Sequence, residues 1–183
     1  MKFLGWLLKL LFGEGKEEIE DKPEQEVAVA EPPTVKRDLT NIVEFIKKEE
    51  GFREKAYLCS GGKWTVGYGW THDVTADSVI DEETALRLLE SHVRYLIHEL
   101  KELFNKSDNF YSYEIDAMVS FVYNFGIKKF RNSTLYGRIL LEDTEGIKTQ
   151  WMRWVYAKRK YQKGLYARRK RELKLFLTGD YSL

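Results

Sequence analysis

The sequence has few cysteines and histidines, the residues from which disulfide frameworks and zinc sites are built. Of 183 residues one is cysteine, Cys59, so no intramolecular disulfide can form and stability must come from packing. The three histidines (His72, His92 and His98) do not have the spacing of metal ligands. We therefore predict neither a metal ion nor any other cofactor, and the lone cysteine does not identify a redox compartment.

Proline is also scarce, and its position divides the chain. All three prolines lie in residues 14–39, a stretch with nine acids, four bases and a net charge of −5. Such a stretch repels itself and cannot bury a core, so we predict a flexible linker there. The chain as a whole is 43% hydrophobic, which suits one domain with a sizeable core, and we assign that domain to residues 40–183.

Long hydrophobic runs are absent. The most apolar stretch is residues 1–13, MKFLGWLLKLLFG, which Lys9 interrupts. As a helix it would be about 20 Å long, shorter than the roughly 30 Å core of a bilayer. Three interpretations stay open: an amphipathic anchor on a membrane surface, a peptide that docks into a protein groove, and a signal peptide.

The net charge of +1 argues against a general nucleic-acid binder. A basic run at residues 167–171, ARRKR, has no recognised nucleic-acid-binding motif beside it, so no nucleic-acid partner is predicted. Residues 40–183 alone carry +4. This mild positive charge fits a partner with an anionic surface, such as a bacterial cell wall or envelope.

Turn and capping signals begin at residue 40. Thr40 or Asn41 is predicted to cap a helix over 40–50, and Gly51 to end it. Two β-prone stretches, 55–58 and 63–70, flank a Gly-Gly pair and predict a hairpin.

The rest of the chain has the apolar spacing of helices. Asp81 is predicted to open a helix that runs to residue 104 and is about 35 Å long. Further helices are predicted at 112–125, 133–141, 145–156 and 165–177. The expected fold is α+β and mainly helical, with a small N-terminal lobe that contains the hairpin, a long connecting helix and a C-terminal helical lobe.

Four segments, in order, resemble the phage-type lysozymes of glycoside hydrolase family 24. They are Glu50-Gly51-Phe52 with Ala56-Tyr57; WTVGYG at 64–69; DAMVSFVYNFG at 116–126, continuing to Ser133-Thr134-Leu135; and Trp154 followed by Gly164-Leu165, Arg168-Arg169, Glu172 and Phe176. Together they cover nearly all of residues 42–180. The resemblance implies a lysozyme-like fold and a monomeric domain. It also implies a muramidase that hydrolyses the β-1,4 bond between N-acetylmuramic acid and N-acetylglucosamine in bacterial peptidoglycan. Such an enzyme is made in a bacterial cytoplasm and acts at the cell wall or periplasm.

The resemblance also implies catalytic positions. The family's glutamate corresponds to Glu50, its aspartate nine residues later to Cys59, and its threonine fifteen residues later to Thr65. The glutamate and the threonine match, whereas cysteine replaces the aspartate. Trp70 stands where the family often has histidine. These two departures favour the alternative of a cell-wall-binding or virion module that kept the fold and lost catalysis.

Glycoside hydrolysis needs a group that protonates the leaving oxygen, and Glu50 is the candidate. The negative end of a helix dipole and the adjacent Glu49 both disfavour its ionised form. The resemblance implies that Arg168 pairs with it, which opposes that effect but orients the carboxyl. Lys170 and Arg171 are expected on a solvated helix face.

Cys59 has three interpretations. It acts in place of the carboxylate as base or nucleophile; or it only shapes the site while Thr65 holds the attacking water; or the site is inactive.

By family position, substrate binding is assigned to Thr71, Tyr123, Asn124 and Ser133. Ser133 has the alternative interpretation of a helix N-cap.

Overall fold

The computed structural model describes residues 37–59, 61–105 and 109–182. The helices are α1 (Thr40–Glu50), α2 (Glu82–Leu103), α3 (Ser112–Phe125), α4 (Ile127–Arg131), α5 (Thr134–Leu140), α6 (Thr144–Trp151) and α7 (Lys163–Thr178). The strands are β1 (Arg53–Leu58), β2 (Trp64–Gly67), β3 (Tyr156–Ala157) and β4 (Lys160–Tyr161). The N-terminal apolar segment and all but the last residues of the charged segment lie outside this part of the chain, so their assignments stay predictions.

Helix α1 ends where it was predicted to end, but it begins differently. Gly51, with φ of 69°, follows the last turn and its N–H bonds to Lys47 O. The prediction that Thr40 or Asn41 caps the helix is wrong, because both residues are already helical. The carboxylate of Asp38 takes that part, accepting the backbone N–H of Thr40 at 2.9 Å and its hydroxyl at 2.6 Å.

The predicted hairpin is present, with a shorter second strand. Strands β1 and β2 are antiparallel, and Tyr57 faces Thr65 across them. Instead of continuing to residue 70, the chain folds back after Gly67, and Val66 and Trp70 exchange two backbone hydrogen bonds of 2.9 Å. The fold-back requires φ of 62° at Gly67 and 96° at Gly69, a region that glycine enters at little cost.

Helix α2 connects the two lobes. Asp81 caps it by accepting the backbone N–H of Thr84 at 2.7 Å, as predicted. The helix has 22 residues and is therefore about 33 Å long. Its buried residues repeat every three or four positions, so one stripe faces the core along the whole length. They are Ala85, Leu89, Val93, Leu96, Ile97 and Leu100.

Helix α3 is the centre of the core and has the predicted bounds. Every residue from Ile115 to Val122 is buried, because α1, α2 and α7 pack around it. A helix that is buried on all sides must satisfy its own polar side chains, and Asp116 and Ser120 are the two involved. Asp116 pairs with Arg37 and accepts the hydroxyl of Tyr181 at 2.5 Å.

The C-terminal lobe contains three features that the sequence did not predict. Helix α4 directly follows Gly126, and α6 ends at Trp151, five residues before its predicted end. A short hairpin of β3 and β4 comes next. Its turn residues Lys158 and Arg159 have positive φ angles of 49° and 62°, so the turn lacks the glycine or asparagine that would have indicated it.

The mainly helical α+β fold, with its small hairpin lobe, connecting helix and helical lobe, is confirmed. One hydrophobic cluster runs through it, from Leu39 to Phe176. Within the described residues, no helix is both long enough and apolar enough to cross a bilayer.

The fold-back after β2 gives a stability prediction. A Cβ at Gly67 would lie 3.0 Å from the Cβ of Ala85 on α2, at a φ that disfavours side chains. We expect Gly67→Ala to lower the free energy of unfolding by about 1–3 kcal/mol. Gly137 is the control: it lies inside α5 with open space at its Cβ, so Gly137→Ala should raise the free energy by up to about 1 kcal/mol. Urea unfolding followed by circular dichroism measures both, and equal stability of Gly67→Ala and the parent would contradict this geometry.

Candidate active site

The site is built around the last residue of α1. Glu50 keeps 20% of its side chain exposed, and its Oε1 accepts a hydrogen bond of 2.5 Å from Arg168 Nη1. The glycine turn after β2 lies on the other side of the carboxyl, since a Cβ at Gly69 would be 3.7 Å from Glu50 Oε2. The carboxyl is therefore held between the hairpin and α7 rather than extended into bulk solvent.

Arg168 is anchored on three sides. Its Nη1 contacts Glu50, its Nε donates to Glu172 Oε1 at 3.0 Å, and its Nη2 donates to the carbonyl oxygen of Ser120 at 3.1 Å. Burial alone would lower the pKa of the guanidinium, but the carboxylates of Glu50 and Glu172 outweigh burial and raise that pKa above its usual value. Arg168 thus remains a cation beside the proposed acid.

Glu172 is a buried carboxylate under this contact. Its Oε1 also accepts Arg169 Nη2 at 2.7 Å and the hydroxyl of Ser120 at 2.8 Å, and its Oε2 accepts Trp151 Nε1 at 3.3 Å. The side chain is fully buried. The sequence comparison included Glu172 in a motif but gave it no role; the signal was its position four residues after Arg168 on one helix face.

Glu49 does not act on its neighbour as expected. Its two carboxylate oxygens accept Arg171 Nε at 2.6 Å and Arg171 Nη2 at 2.8 Å. The charge of Glu49 is therefore paired with a cation of α7. The expectation of a solvated Arg171 is therefore wrong, because the guanidinium is half-buried against α1. Lys170 is exposed, as expected.

Cys59 lies just after β1, at the start of the hairpin loop. Its thiol pKa is lowered, first by the backbone N–H of Lys63 and then by the hydroxyl of Thr65, which together outweigh burial. Thr65 is 3% exposed, and its hydroxyl donates to the carbonyl of Lys63 at 3.1 Å. One hydroxyl proton serves one acceptor well, so the sulfur and that carbonyl compete for it.

Tyr123 and Tyr57 complete the surroundings of Glu50. The Tyr123 hydroxyl donates to the carbonyl of Tyr68 at 2.6 Å, and its ring packs against the Gly69 turn. Burial first, and then the charge of Glu50, raise the pKa of the Tyr123 phenol. Burial raises the pKa of the Tyr57 phenol, with smaller contributions from the charges of Glu50 and Cys59. The sequence analysis included Tyr57 in a family motif but gave it no role, because a tyrosine facing Thr65 across a hairpin has no separate signal.

The other predicted binding residues are more spread out. Asn124 is exposed, and its Oδ1 accepts Arg169 Nη2 at 3.4 Å. Thr71 is exposed just beyond the hairpin. Ser133 caps α5, accepting the N–H of Tyr136 at 3.1 Å. Ser133 also lines a pocket of about 390 Å³ in the helical lobe, together with Asn132, Arg153 and Trp154.

His92 is packed among aromatic rings, and His72 lies on the surface. His92 lies among the rings of Trp70, Tyr95 and Tyr123, and burial lowers its pKa. His72 pairs with Asp73 at 2.7 Å on the surface. Among residues 37–59, 61–105 and 109–182, no three His, Cys, Asp or Glu side chains converge as metal ligands would.

Comparisons with known proteins agree with this architecture. The phage lysozyme family model matches residues 47–172. An endolysin of Acyrthosiphon pisum secondary endosymbiont phage 1 is 36% identical over 137 residues, covering 72% of this chain and 91% of the relative. The solved endolysin from Escherichia coli O157:H7 phage FAHEc1 has a TM-score of 0.67 and 27% identity, over 81% of this chain and 98% of that one.

A bacterial structure is similar to the same extent. The muramidase domain of SpmX from Asticaccaulis excentricus has a TM-score of 0.66 and 27% identity, covering 75% of this chain and 95% of that one. The family match spans most of the chain and includes both Glu50 and Arg168. The chain therefore belongs to the phage lysozyme family, whose endolysins and muramidases degrade bacterial peptidoglycan.

Proposed function

We propose that this protein is a muramidase that cleaves the β-1,4 bond between N-acetylmuramic acid and N-acetylglucosamine, with Glu50 as the general acid. The observation that carries the proposal is the contact between Glu50 and Arg168, which fixes a carboxyl at a helix end beside the glycine turn. A fixed carboxyl can be aimed at a glycosidic oxygen, whereas a solvated one at a free helix end cannot.

In the proposed reaction, Glu50 gives a proton to the leaving oxygen as the glycosidic bond breaks. Positive charge develops on the sugar, and Glu50 leaves this step as a carboxylate. Glycan that covers the 20% exposed side chain would exclude water from it. Desolvation disfavours a carboxylate, so substrate binding would offset the effect of Arg168 and favour the proton-carrying form.

Cys59 is proposed as the base that activates the attacking water, in place of the family's aspartate. Its lowered thiol pKa supports this role, because a thiolate accepts a proton that a thiol cannot. Thr65, which borders the sulfur, would help to hold the water. Direct attack by the sulfur and a purely structural Cys59 are the competing roles. Tyr123, Asn124, Thr71 and Ser133 are proposed to bind the glycan.

The second candidate is a wall-binding or virion module with little or no catalysis. The cysteine at position 59 favours this candidate, because a protonated thiol cannot accept a proton from water as the family's aspartate can. Product analysis of purified peptidoglycan digests separates the two. Reducing muramic ends indicate hydrolysis and an absence of products indicates the binding module. Anhydromuramic ends would indicate that the sugar's own hydroxyl replaces water.

The proposed site of action is the cell wall, with residues 1–13 attaching the domain to a membrane surface or to a protein groove. The domain is proposed to act as a monomer. A shortened chain that lacks residues 1–13 serves to test this attachment. It should begin at Pro32, because Arg37 pairs with Asp116 and this contact must be kept.

The first prediction concerns the proton donor. Glu50→Gln retains a carbonyl for Arg168 but carries no transferable proton, so we expect lysis of permeabilised Gram-negative cells to fall about 10²–10⁴-fold. Cys59→Ser should give an intermediate rate. Turbidity measurements follow both variants, with unfolding temperature as the control for folding. Full activity in Glu50→Gln would refute the assignment of the acid.

The second prediction concerns the pH profile of Cys59. If its thiolate is the base, activity rises as pH increases through the thiol pKa, because only the deprotonated form accepts a proton. An aspartate titrates far lower, so in Cys59→Asp this rise should move to about pH 4. Initial rates of product release between pH 4 and pH 9 measure the shift. Superimposable profiles of the two proteins would exclude Cys59 as the base.

The third prediction concerns residues 1–13. The full chain should float with vesicles that contain anionic lipid, and a chain beginning at Pro32 should remain in the soluble fraction. An apolar segment with two lysines would supply both apolar and electrostatic attraction to such vesicles. Equal flotation of the two chains would end the membrane-anchor interpretation.

A further inference from the structure

We propose that Glu172 is a positioning residue for both halves of the active site, holding the acid Glu50 through Arg168 and the cleft amide Asn124 through Arg169. The inference rests on the proposed function, and it assigns a task to a buried carboxylate that the reaction itself does not use.

The first observation is where Glu172 lies. It is fully buried on α7, more than 100 residues away in sequence from Glu50, and four donors surround it: Arg168, Arg169, Ser120 and Trp151. Burying a carboxylate is costly, and apolar residues of similar volume usually stabilise a core as well as a buried ion pair does. A stability role alone therefore gives little reason to keep the whole charged cluster of Glu172 and its two arginines.

The branch through Arg168 reaches the acid. The guanidinium is planar and rigid, so fixing two of its nitrogens fixes the direction of the third. Nε is held by Glu172 at 3.0 Å and Nη2 by the Ser120 carbonyl at 3.1 Å. The remaining Nη1 then points at Glu50. Loss of the Glu172 charge would replace a charge-assisted hydrogen bond at Nε with a weaker neutral one, and the guanidinium would be held less firmly.

The branch through Arg169 reaches the cleft. Arg169 is fully buried, and its Nη2 lies between Glu172 Oε1 at 2.7 Å and Asn124 Oδ1 at 3.4 Å. No described residue accepts a hydrogen bond from its Nε or Nη1. The guanidinium instead packs on the rings of Phe121 and Phe125, 4.6 and 4.8 Å from their centroids. Burial lowers its pKa to about 10, against the opposing effect of Glu172.

Arg169 therefore depends on Glu172 for its only close carboxylate partner among the described residues. Without that carboxylate, the buried cation would be driven towards solvent, and the exposed Asn124 is one of the side chains it contacts. The proposal predicts that loss of Glu172 disturbs both the placement of the acid and the binding of glycan. A change at Arg168 should disturb only the placement of the acid, and a change at Arg169 only the binding of glycan.

The chain offers a matched control. Asp116 is also a buried carboxylate on a core helix, and it pairs with Arg37 and accepts the hydroxyl of Tyr181. It has no hydrogen bond to Arg168, Arg169 or Glu172 among the described residues. Asp116→Asn therefore removes a buried charge without removing a contact of the proposed network.

The experiment measures kcat and KM on soluble, uncross-linked peptidoglycan chains for four variants of the full chain. For Arg168→Lys we expect kcat to fall about tenfold to hundredfold with KM nearly unchanged. For Arg169→Lys we expect KM to rise about threefold with kcat nearly unchanged. Glu172→Gln should change both parameters, and Asp116→Asn neither.

Two results would overturn the proposal. One is Glu172→Gln with the kinetics of Asp116→Asn. The other, which remains measurable even if Glu172→Gln does not fold, is Arg168→Lys and Arg169→Lys altering the same parameter. The conservative Glu172→Asp variant should recover part of the lost kcat, since it restores the charge at a shorter reach.

A readout besides activity separates this proposal from the proposed function. In arginine side-chain NMR spectra, the Nε–H of Arg168 should be protected from solvent exchange in the parent and should exchange faster in Glu172→Gln, while Asp116→Asn leaves it protected. Protection that is identical in all three proteins overturns the positioning role. An inactive parent with the expected protection pattern refutes the muramidase proposal and leaves the network intact.

Discussion

The structure depends on one contact across the chain, the ion pair between Arg168 of α7 and Glu50 of α1. It joins residues 118 positions apart and closes the helical lobe onto the helix that carries the proposed acid. The residues around Arg168 hold its guanidinium in the protein interior, away from solvent. The Ser120 carbonyl and Glu172 supply the acceptors, and α3 supplies the surrounding apolar wall.

Burying so much charge constrains the core. Arg168, Arg169 and Glu172 are all buried on one face of α7, next to rings from α3 and α6. Each polar group must be paired or stacked, because an unpaired buried charge costs more than a misplaced apolar side chain. We therefore expect the network to tolerate few substitutions. In return, it fixes the orientation of the groups that contact Glu50 and Asn124.

The hairpin supplies the opposite side of the site through a different kind of constraint. Glycines at 67 and 69 allow the backbone to fold back close to α2 and to Glu50, where a Cβ would be in contact. Cysteine at position 59 is the chemical departure in this lobe, and its loop stabilises the thiolate with backbone and hydroxyl donors. The geometry of the site is thus set by backbone conformation on one side and by buried ion pairs on the other.

The sequence by itself determined the fold class, the first hairpin and six of the seven helices in the described part of the chain. Periodic apolar spacing and capping residues such as Asp81 and Gly51 encode those features locally. It could not determine that Arg171 pairs with Glu49, or that Ser120 and Trp151 donate to Glu172. It also missed the β3–β4 turn, which lacks glycine, and the hydrogen bonds by which Asp38 caps the first helix. The contacts of Glu49 and Glu172 join residues that local pattern does not relate. Only the packing of α1, α3, α6 and α7 brought these residues together, because a buried charge takes its partner from whatever the fold places beside it.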